Sequence, residues 1–150
     1  EVFTGTYKYA LLLSKATSPS GRFVKLKEST KRNIMEQNVV LCGANSYDQK
    51  YYLNQEFSAL PDAVKQELQI MCVWFTEDIG GILTLEFEPD GTLIMKTTAD
   101  DMDYYYDDIG AGLKLHQLQR QKRELMSSLE MYYRVMFLNK TVEEAGKEIL

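Results

Sequence analysis

The stretch Gly80–Thr98 reads GGILTLEFEPDGTLIMKTT and carries the clearest local pattern in the chain. Apolar and polar side chains alternate with a period of two before and after Glu88–Gly91, which is typical of antiparallel strands. Pro89 presets φ at the second position of the turn, and Gly91 accepts the positive φ that closes a short loop. The stretch therefore predicts a β-hairpin over residues 82–97, which needs apolar cover on one face to be stable.

Helical spacing precedes the hairpin. Pro61 suits the first turn of a helix, where its missing N–H costs nothing. Apolar residues then recur at i, i+4, i+7 and i+11 from Val64, which predicts a helix over residues 62–78. Three further residues widen this apolar stripe, so we expect the helix to be buried on most sides. They are Ile70, Val73 and Trp74.

A longer helical pattern follows the hairpin and predicts a second main helix over residues 112–138. Its apolar positions are Leu118, Leu125, Leu129, Tyr132 and Met136. At ~40 Å such a helix is longer than a small sheet can cover, so its apolar face would overhang the core. Thr141 and Glu144 then form a capping-box pattern, which predicts a short last helix in residues 141–150.

Two further segments complete the predicted sheet. Val39–Ala44 is a compact apolar run that predicts a strand, and Lys50–Leu53 is a weaker candidate. The fold class that follows is α+β, with a small antiparallel sheet packed against the two main helices. We expect residues 35–140 to form this domain.

Residues 1–34 differ from the rest of the chain. They carry a net charge of +5 and lack a sustained period, whereas the remaining residues carry −10. One interpretation is that Met35 is the natural start and that residues 1–34 are upstream read-through or a linker; the other is that they form a basic N-terminal arm. We expect residues 1–34 to be dispensable for folding.

The composition excludes several classes of protein. A net charge of −5 argues against a nucleic-acid partner, because phosphate neutralisation needs a basic surface. No apolar run approaches the ~20 residues of a membrane span, so we expect no membrane partner. The two cysteines, Cys42 and Cys72, each lie in an apolar run. Buried, reduced thiols in a cytoplasmic protein are the expectation.

Residues that carry chemistry are sparse. With His116 as the only histidine and two separated cysteines, a four-ligand zinc site would need carboxylates as well. A Ser/His/Asp arrangement would need His116, and the chain has no nucleophile-elbow pattern. Glycine-rich phosphate loops are also missing. We therefore predict no catalytic residue, no cofactor and no metal, and we expect a protein that is not an enzyme.

One acidic loop keeps an alternative open. The loop at residues 100–108 has five carboxylates, which are hard oxygen ligands of the kind that Ca²⁺ or Mg²⁺ prefers. They are Asp100, Asp101, Asp103, Asp107 and Asp108. Their spacing does not match an EF-hand, so we expect no tight calcium binding. The alternative is a divalent-metal-dependent or acidic-residue enzyme centred on this loop, with Glu77 and Asp78.

Aromatic residues favour a role in binding. Seven of the ten tyrosines stand in adjacent runs, so one residue of each run is expected to pack while its neighbour meets solvent or a partner. The simpler interpretation is that these tyrosines are the edges of one core. The predicted interaction surface consists of Tyr104, Tyr105, Tyr106, Leu118 and Leu125. The preferred function is a small non-enzymatic interaction or adaptor protein that forms a homodimer or binds another protein.

Three tracts carry a family resemblance: VVLCGANSYDQKYYLN, ALPDAVKQELQIMCVWFTEDIGGILTLEFEPDG and KRELMSSLEMYYRVMFL. Over residues 37–139 the chain resembles an uncharacterised family of short cytoplasmic proteins from anaerobic Clostridia, and FTEDIGGILTLEF is the most specific part. The resemblance implies a small bacterial cytoplasmic α+β protein. It carries over no activity, ligand or catalytic residue.

Overall fold

A computed structural model describes residues 37–149 as four strands, four α-helices and one short 3₁₀ turn. The strands are β1 (Val39–Asn45), β2 (Lys50–Leu53), β3 (Ile82–Phe87) and β4 (Leu93–Thr98). The helices are α1 (Asp62–Ile79), α2 (Asp108–Gln121), α3 (Arg123–Met136) and α4 (Val142–Ile149), and the 3₁₀ turn is Gln55–Phe57. The predicted α+β class is confirmed, and the predicted leader at 1–34 lies outside the described residues.

The strands form one antiparallel sheet in the order β2-β1-β3-β4. The register places Cys42 opposite Leu53 on one side and Leu85 on the other, and Leu85 opposite Met95. This row runs across all four strands on a single face. A bulge between Val40 and Cys42 interrupts the alternation of β1.

The core lies on that face, beneath α1 and α3. In β3 the side chains of Leu83, Leu85 and Phe87 are buried, because a period of two sends them all to the helix side. Four aromatic rings continue the core toward α3, with centroids 4.1 to 6.2 Å apart. They belong to Phe57, Phe87, Tyr133 and Phe137.

The hairpin turn has the geometry that its sequence predicts. Gly91 has a φ of 93° and donates its N–H to the carbonyl of Glu88 over 2.8 Å. The carboxylate of Asp90 accepts the N–H of Thr92 at 2.9 Å. Positive φ at the closing position is the reason for glycine there.

Helix α3 clamps the same hairpin with a buried polar group. Arg134 is almost fully buried, and its Nε donates to the carbonyl of Asp90 at 3.2 Å. One turn earlier, Glu130 accepts the backbone N–H of Leu93 at 2.9 Å. Glu130 and Arg134 are four residues apart on α3, and their hydrogen bonds attach both ends of the turn to this helix.

The structure corrects the prediction of one long helix over 112–138. At Lys122 the backbone leaves helical geometry, with φ −107° and ψ 19°, and two helices of 14 residues replace the single rod. Each is ~21 Å long. The break lets α3 turn its apolar residues onto the sheet while α2 follows α1, so of these two helices only α2 keeps exposed large apolar side chains.

A second correction concerns α1, which is not buried on most sides. Trp74 is 71% exposed and Ile70 is 54% exposed. The sheet covers one face of α1 and buries Leu68, Cys72 and Phe75 there. Residues 70 and 74 lie on the far side of the helix, where the described residues provide no full cover.

Candidate functional site

The most unusual surface feature is the exposed indole of Trp74, the only tryptophan in the chain. Large aromatic side chains of monomeric proteins are highly buried on average, and exposed apolar groups that cluster mark binding surfaces. Ile70 lies one turn away on the same face of α1, and its side chain is also exposed. The two residues define an apolar ridge on the outside of the molecule.

Beside this ridge lies a groove between α1 and α2, which we call the α1/α2 groove. It has a volume of about 1040 Å³. Met71 and Phe75 of α1 are buried at its base, and the half-buried Leu118 of α2 faces them across it. Its base is therefore apolar, like the base of most protein binding sites.

Two ion pairs bridge the groove, one toward each end. Lys122 Nζ lies 3.3 Å from Glu67 Oε1, and Lys114 Nζ lies 3.2 Å from Asp78 Oδ2. Because the early residue of α1 pairs with the late residue of α2, the two helices run antiparallel. The paired side chains are all substantially exposed, so each pair contributes at most ~1 kcal/mol.

Helix α2 has an exposed stripe of its own, which lies outside the lining of the groove. Ile109 is 78% exposed and Leu113 is 68% exposed. His116 and Arg120 continue the stripe at helical spacing and, with Gln119 and Arg123, line a surface hollow of about 540 Å³. In α2 only Ala111 is fully buried, so the helix is a peripheral element with most of its surface free.

The predicted tyrosine surface is partly exposed. Tyr105 is 98% exposed and Tyr104 is also exposed, whereas Tyr106 is half-buried. The ring of Tyr106 lies against Gly81, where a Cβ atom would be 2.8 Å from its Cε2 atom. Gly81 also has a φ of 70°, so both space and backbone conformation require glycine. The three tyrosines therefore divide into two outward rings and one packing ring.

The two predicted leucines occupy different environments. Leu118 lies in the α1/α2 groove and is half-buried, consistent with a place at a binding surface. Leu125 is only 1% exposed and belongs to the core, so its placement on an interaction surface was wrong. The reason is the break at Lys122, which separates Leu118 from Leu125 into different helices with different orientations.

The carboxylates of the acidic loop accept hydrogen bonds that stabilise the loop's own conformation. The hydroxyl of Tyr47 donates to Asp103 Oδ2 at 2.6 Å and accepts the N–H of Asp100 at 3.0 Å. The hydrogen bond to Asp103 raises the pKa of Tyr47 above its ordinary value of 10.0. The other carboxylate oxygen of Asp103 accepts the N–H of Tyr105 at 3.2 Å, and Asp100 Oδ1 accepts that of Met102 at 3.0 Å.

These hydrogen bonds stabilise local turns and do not arrange the carboxylates as ligands around a metal ion. Within residues 37–149 no three His, Cys, Asp or Glu side chains converge in a way that could hold a metal ion. Asp107 stands at the N-cap position of α2 without a side-chain hydrogen bond to the helix, and Asp108 lies in its first turn. Asp78 is engaged with Lys114 across the groove. Among the described residues, the acids of the alternative hypothesis therefore do not converge on one point.

The two cysteines face each other inside the core. Their sulfur atoms are 3.9 Å apart, and both thiols are free and buried, as predicted. The hydrogen bond with Cys42 and the burial of both groups raise the pKa of Cys72. Burial likewise raises the pKa of the adjacent Tyr51. The two buried thiols link β1 to α1 by packing.

Sequence reasoning missed Trp74 and Ile70 as surface residues, although a signal existed. The stripe Val64, Leu68, Met71 and Phe75 already supplies one complete core face. Apolar residues on the opposite side of the same helix then need a different partner. The helix predicted to be buried on most sides has two apolar faces, only one of which meets the sheet.

The fold and this surface define a small α+β protein. Its antiparallel sheet is covered by helices on one face, and an exposed apolar groove lies between two of the helices. The described residues contain no helix that combines the length and hydropathy of a membrane span. The chain belongs to the family of unknown function DUF6145, which matches residues 38–141. No curated protein matches the chain significantly. No solved structure matches it significantly either.

Proposed function

We propose that the protein is a small non-enzymatic interaction protein of the bacterial cytoplasm that pairs with a second copy of itself through the α1/α2 groove. The exposure of Trp74, next to Ile70 and the groove, carries this proposal. An indole that is 71% exposed leaves a large apolar area in water, and an interface that buries it gains that area at little cost in side-chain entropy.

A second copy is the partner that we infer, because the exposed sides of α1 and α2 carry charges of opposite sign. The exposed side of α1 carries Glu77 beside Trp74, whereas the exposed side of α2 carries Arg120 beyond Leu113. None of the ion pairs within the described residues uses Glu77 or Arg120. A two-fold interface joins the same patch of both copies. Each copy can then offer its negative charge to the positive charge of the other, so the same ion pair forms twice.

Other features support the remaining parts of the proposal. The free thiols of Cys42 and Cys72 suit a reducing compartment. The net charge of −5 disfavours nucleic acid as the partner. The carboxylates around Tyr47 serve the turns of their own loop, which favours a binding role over a metal-dependent reaction.

The test measures mass and tryptophan emission together. Light scattering at tens of micromolar is expected to report about twice the chain mass of 17.3 kDa. Since Trp74 is the only tryptophan, its emission should shift to the blue as the dimer forms with rising concentration. Trp74→Glu should give a folded monomer, because loss of a central aromatic anchor costs roughly 2 kcal/mol or more of binding.

Tyr52→Glu is the matched control, since Tyr52 is an exposed aromatic residue on the opposite face of the sheet. That variant is expected to remain dimeric. A wild-type protein that stays monomeric, with the red-shifted emission of a solvated indole, would contradict the proposal. A monomer that binds a different protein through Trp74 would assign the groove to that partner and exclude the second copy.

A further inference from the structure

Helix α2 is attached to the rest of the fold much less firmly than α3. Only Ala111 of its 14 residues is buried, whereas α3 has eight buried residues. Leu115 and Leu118 of α2 are partly buried against the core. Tertiary packing of an apolar face supplies most of the stability of a helix in a protein. The small buried face of α2 therefore gives it a weak hold on the fold.

The sequence of α2 weakens the helix as well. Gly110 and Gly112 lie in its first turns, and glycine is unfavourable inside a helix because it loses more backbone freedom than alanine. Asp107, at the N-cap position, makes no side-chain hydrogen bond to the first N–H groups. At the other end the backbone leaves helical geometry at Lys122. Both ends of α2 are therefore places where the helix can begin to unfold.

The segments on either side of α2 are anchored independently of it. Before the helix, the ring of Tyr106 lies against Gly81, and Asp103 accepts a hydrogen bond from the hydroxyl of Tyr47 at 2.6 Å. After the helix, Leu125 is only 1% exposed and belongs to the core. These neighbours can keep their places when α2 loses its own.

The polar attachment of α2 to α1 is sensitive to salt. It consists of the ion pairs Lys114–Asp78 and Lys122–Glu67, with N–O distances of 3.2 and 3.3 Å. All four side chains are substantially exposed to solvent. Exposed ion pairs are weak, and dissolved ions screen them. The strength of this attachment therefore depends on ionic strength.

We propose that α2 is a detachable lid over the base of the α1/α2 groove. It leaves α1 by local unfolding while the sheet, α1 and α3 stay folded. Met71 and Phe75, which are buried at the base of the groove, become accessible in the open state. High ionic strength shifts the equilibrium toward that state, because salt screens the two ion pairs. The proposal concerns a single chain and does not depend on the proposed self-association.

Amide hydrogen exchange of the full chain, followed residue by residue by NMR, tests whether α2 opens on its own. The amides of α2 are expected to exchange roughly a hundredfold or more faster than the best protected amides of α3. Raising the NaCl concentration from about 0.05 M to about 0.5 M should speed the exchange of α2 several-fold relative to α3. Equal protection of the two helices at both salt concentrations would show one cooperative unit and overturn the proposal.

Two variants should shift the opening of α2 in opposite directions. Lys114→Gln removes the pair with Asp78 and is expected to speed the exchange of α2 by up to about fivefold. Gly112→Ala strengthens the helix and should slow the exchange by about threefold. Lys96→Gln is the matched control, because the pair of Lys96 with Glu86 lies on the sheet. It should leave the exchange of α2 unchanged.

A thiol introduced by Ala111→Cys gives a second readout, since residue 111 is the buried position of α2. A maleimide probe is expected to react with the introduced thiol at least about tenfold faster than with Cys42 and Cys72, which are buried in the core and report global unfolding. Reaction of all three thiols at one rate would overturn the proposal. If Ala111→Cys does not fold by circular dichroism, exchange of the unmodified chain decides. Light scattering on the same samples reports self-association separately, so either proposal can fail without the other.

Discussion

At the scale of single residues, the core holds polar atoms that its packing does not satisfy. The ring of Tyr133 stacks on Phe87 with a centroid distance of 4.1 Å and an angle of 8°. Its hydroxyl is buried and makes no hydrogen bond to the described residues, and burial raises the pKa of Tyr133. A buried hydroxyl without a partner costs on the order of 1–3 kcal/mol.

Tyr133→Phe is therefore expected to stabilise the fold by about 1 kcal/mol, since it removes the unsatisfied hydroxyl and keeps the stacked ring. Chemical denaturation followed by circular dichroism measures the difference in the free energy of unfolding. Phe137→Leu serves as the comparison that removes stacking instead, and it should destabilise. A clear loss of stability in Tyr133→Phe would mean that the hydroxyl has a partner after all.

Glu130 and Arg134 hold the hairpin to α3, and the protonation of the Glu130 carboxyl affects the stability of the fold. Burial raises the pKa of Glu130 above its ordinary value of 4.5, against the opposing effects of the Leu93 N–H and Arg134. The folded state then holds the proton more tightly than the unfolded state, so stability falls as the pH rises from 4.5 through the folded pKa. Asp90 behaves oppositely: the Thr92 N–H lowers its pKa, so its contribution is lost only as the pH falls below 3.8.

Glu130→Gln should flatten the decline of stability above pH 4.5 and leave the acid limb below pH 3.8 intact, because Gln keeps an acceptor for Leu93. Urea midpoints at several pH values provide the measurement. Glu124→Gln, an exposed position on the same helix, is the control. An unchanged slope above pH 4.5 in Glu130→Gln would show that burial of this carboxyl does not govern it.

At the scale of elements, the hairpin was predictable because its pattern is local. Pro89, Asp90 and Gly91 carry their own turn chemistry, and the alternation in β3 needs only one covered face. The break at Lys122 was not predictable, since no glycine or proline marks it. It arises from tertiary packing: α3 turns toward the sheet and the hairpin, and α2 stays with α1.

Two glycines in these elements have contrasting environments. Gly91 has positive φ, and a Cβ atom there would lie 2.7 Å from Cγ of Arg134. Gly91→Ala is expected to cost roughly 2 kcal/mol or more, from backbone strain and from displacement of the clamp. Gly112 lies in α2 with open space around it, so Gly112→Ala should stabilise by about 0.5–1 kcal/mol.

Thermal denaturation of the two variants in parallel gives the readout. The opposite signs matter more than the sizes, because the same substitution is made in both. If Gly91→Ala proved neutral, Arg134 would not be held against the turn. If Gly112→Ala destabilised the protein, α2 would not be a regular helix at this position.

At the scale of the whole molecule, the fold was more predictable than the site. The covered face of each element follows from periodicity, as in Leu83, Leu85 and Phe87. The exposure of the remaining apolar residues depends on tertiary packing, that is, on which faces of each helix or strand are covered by its neighbours. Trp74 had the hydrophobicity of a core residue, and only the arrangement of α1 between the sheet and α2 leaves it outside. Leu125 was predicted to lie on a surface, but α3 turns it into the core after the break at Lys122.

The four described strands lie between residues 39 and 98, each paired with its neighbours in the sheet. The buried side chains of the described core end at Ala145. The family match begins at residue 38. A chain that starts at Met35 therefore contains every strand and every helix that the structure describes. Removal of residues 1–34 is expected to keep the Tm within about 4 °C, which corresponds to roughly 1 kcal/mol for a domain of this size.

Differential scanning calorimetry of the full chain and of the Met35 variant tests this expectation. Light scattering on the same samples separates folding from assembly, since the residues proposed for the dimer, such as Trp74 and Arg120, lie in both proteins. Both samples should unfold cooperatively and have the same oligomeric state. A shortened chain that loses its cooperative transition would place a stabilising segment in residues 1–34, because nothing else differs between the two. A shortened chain that folds but no longer dimerises would place the interface in that segment instead of in the α1/α2 groove.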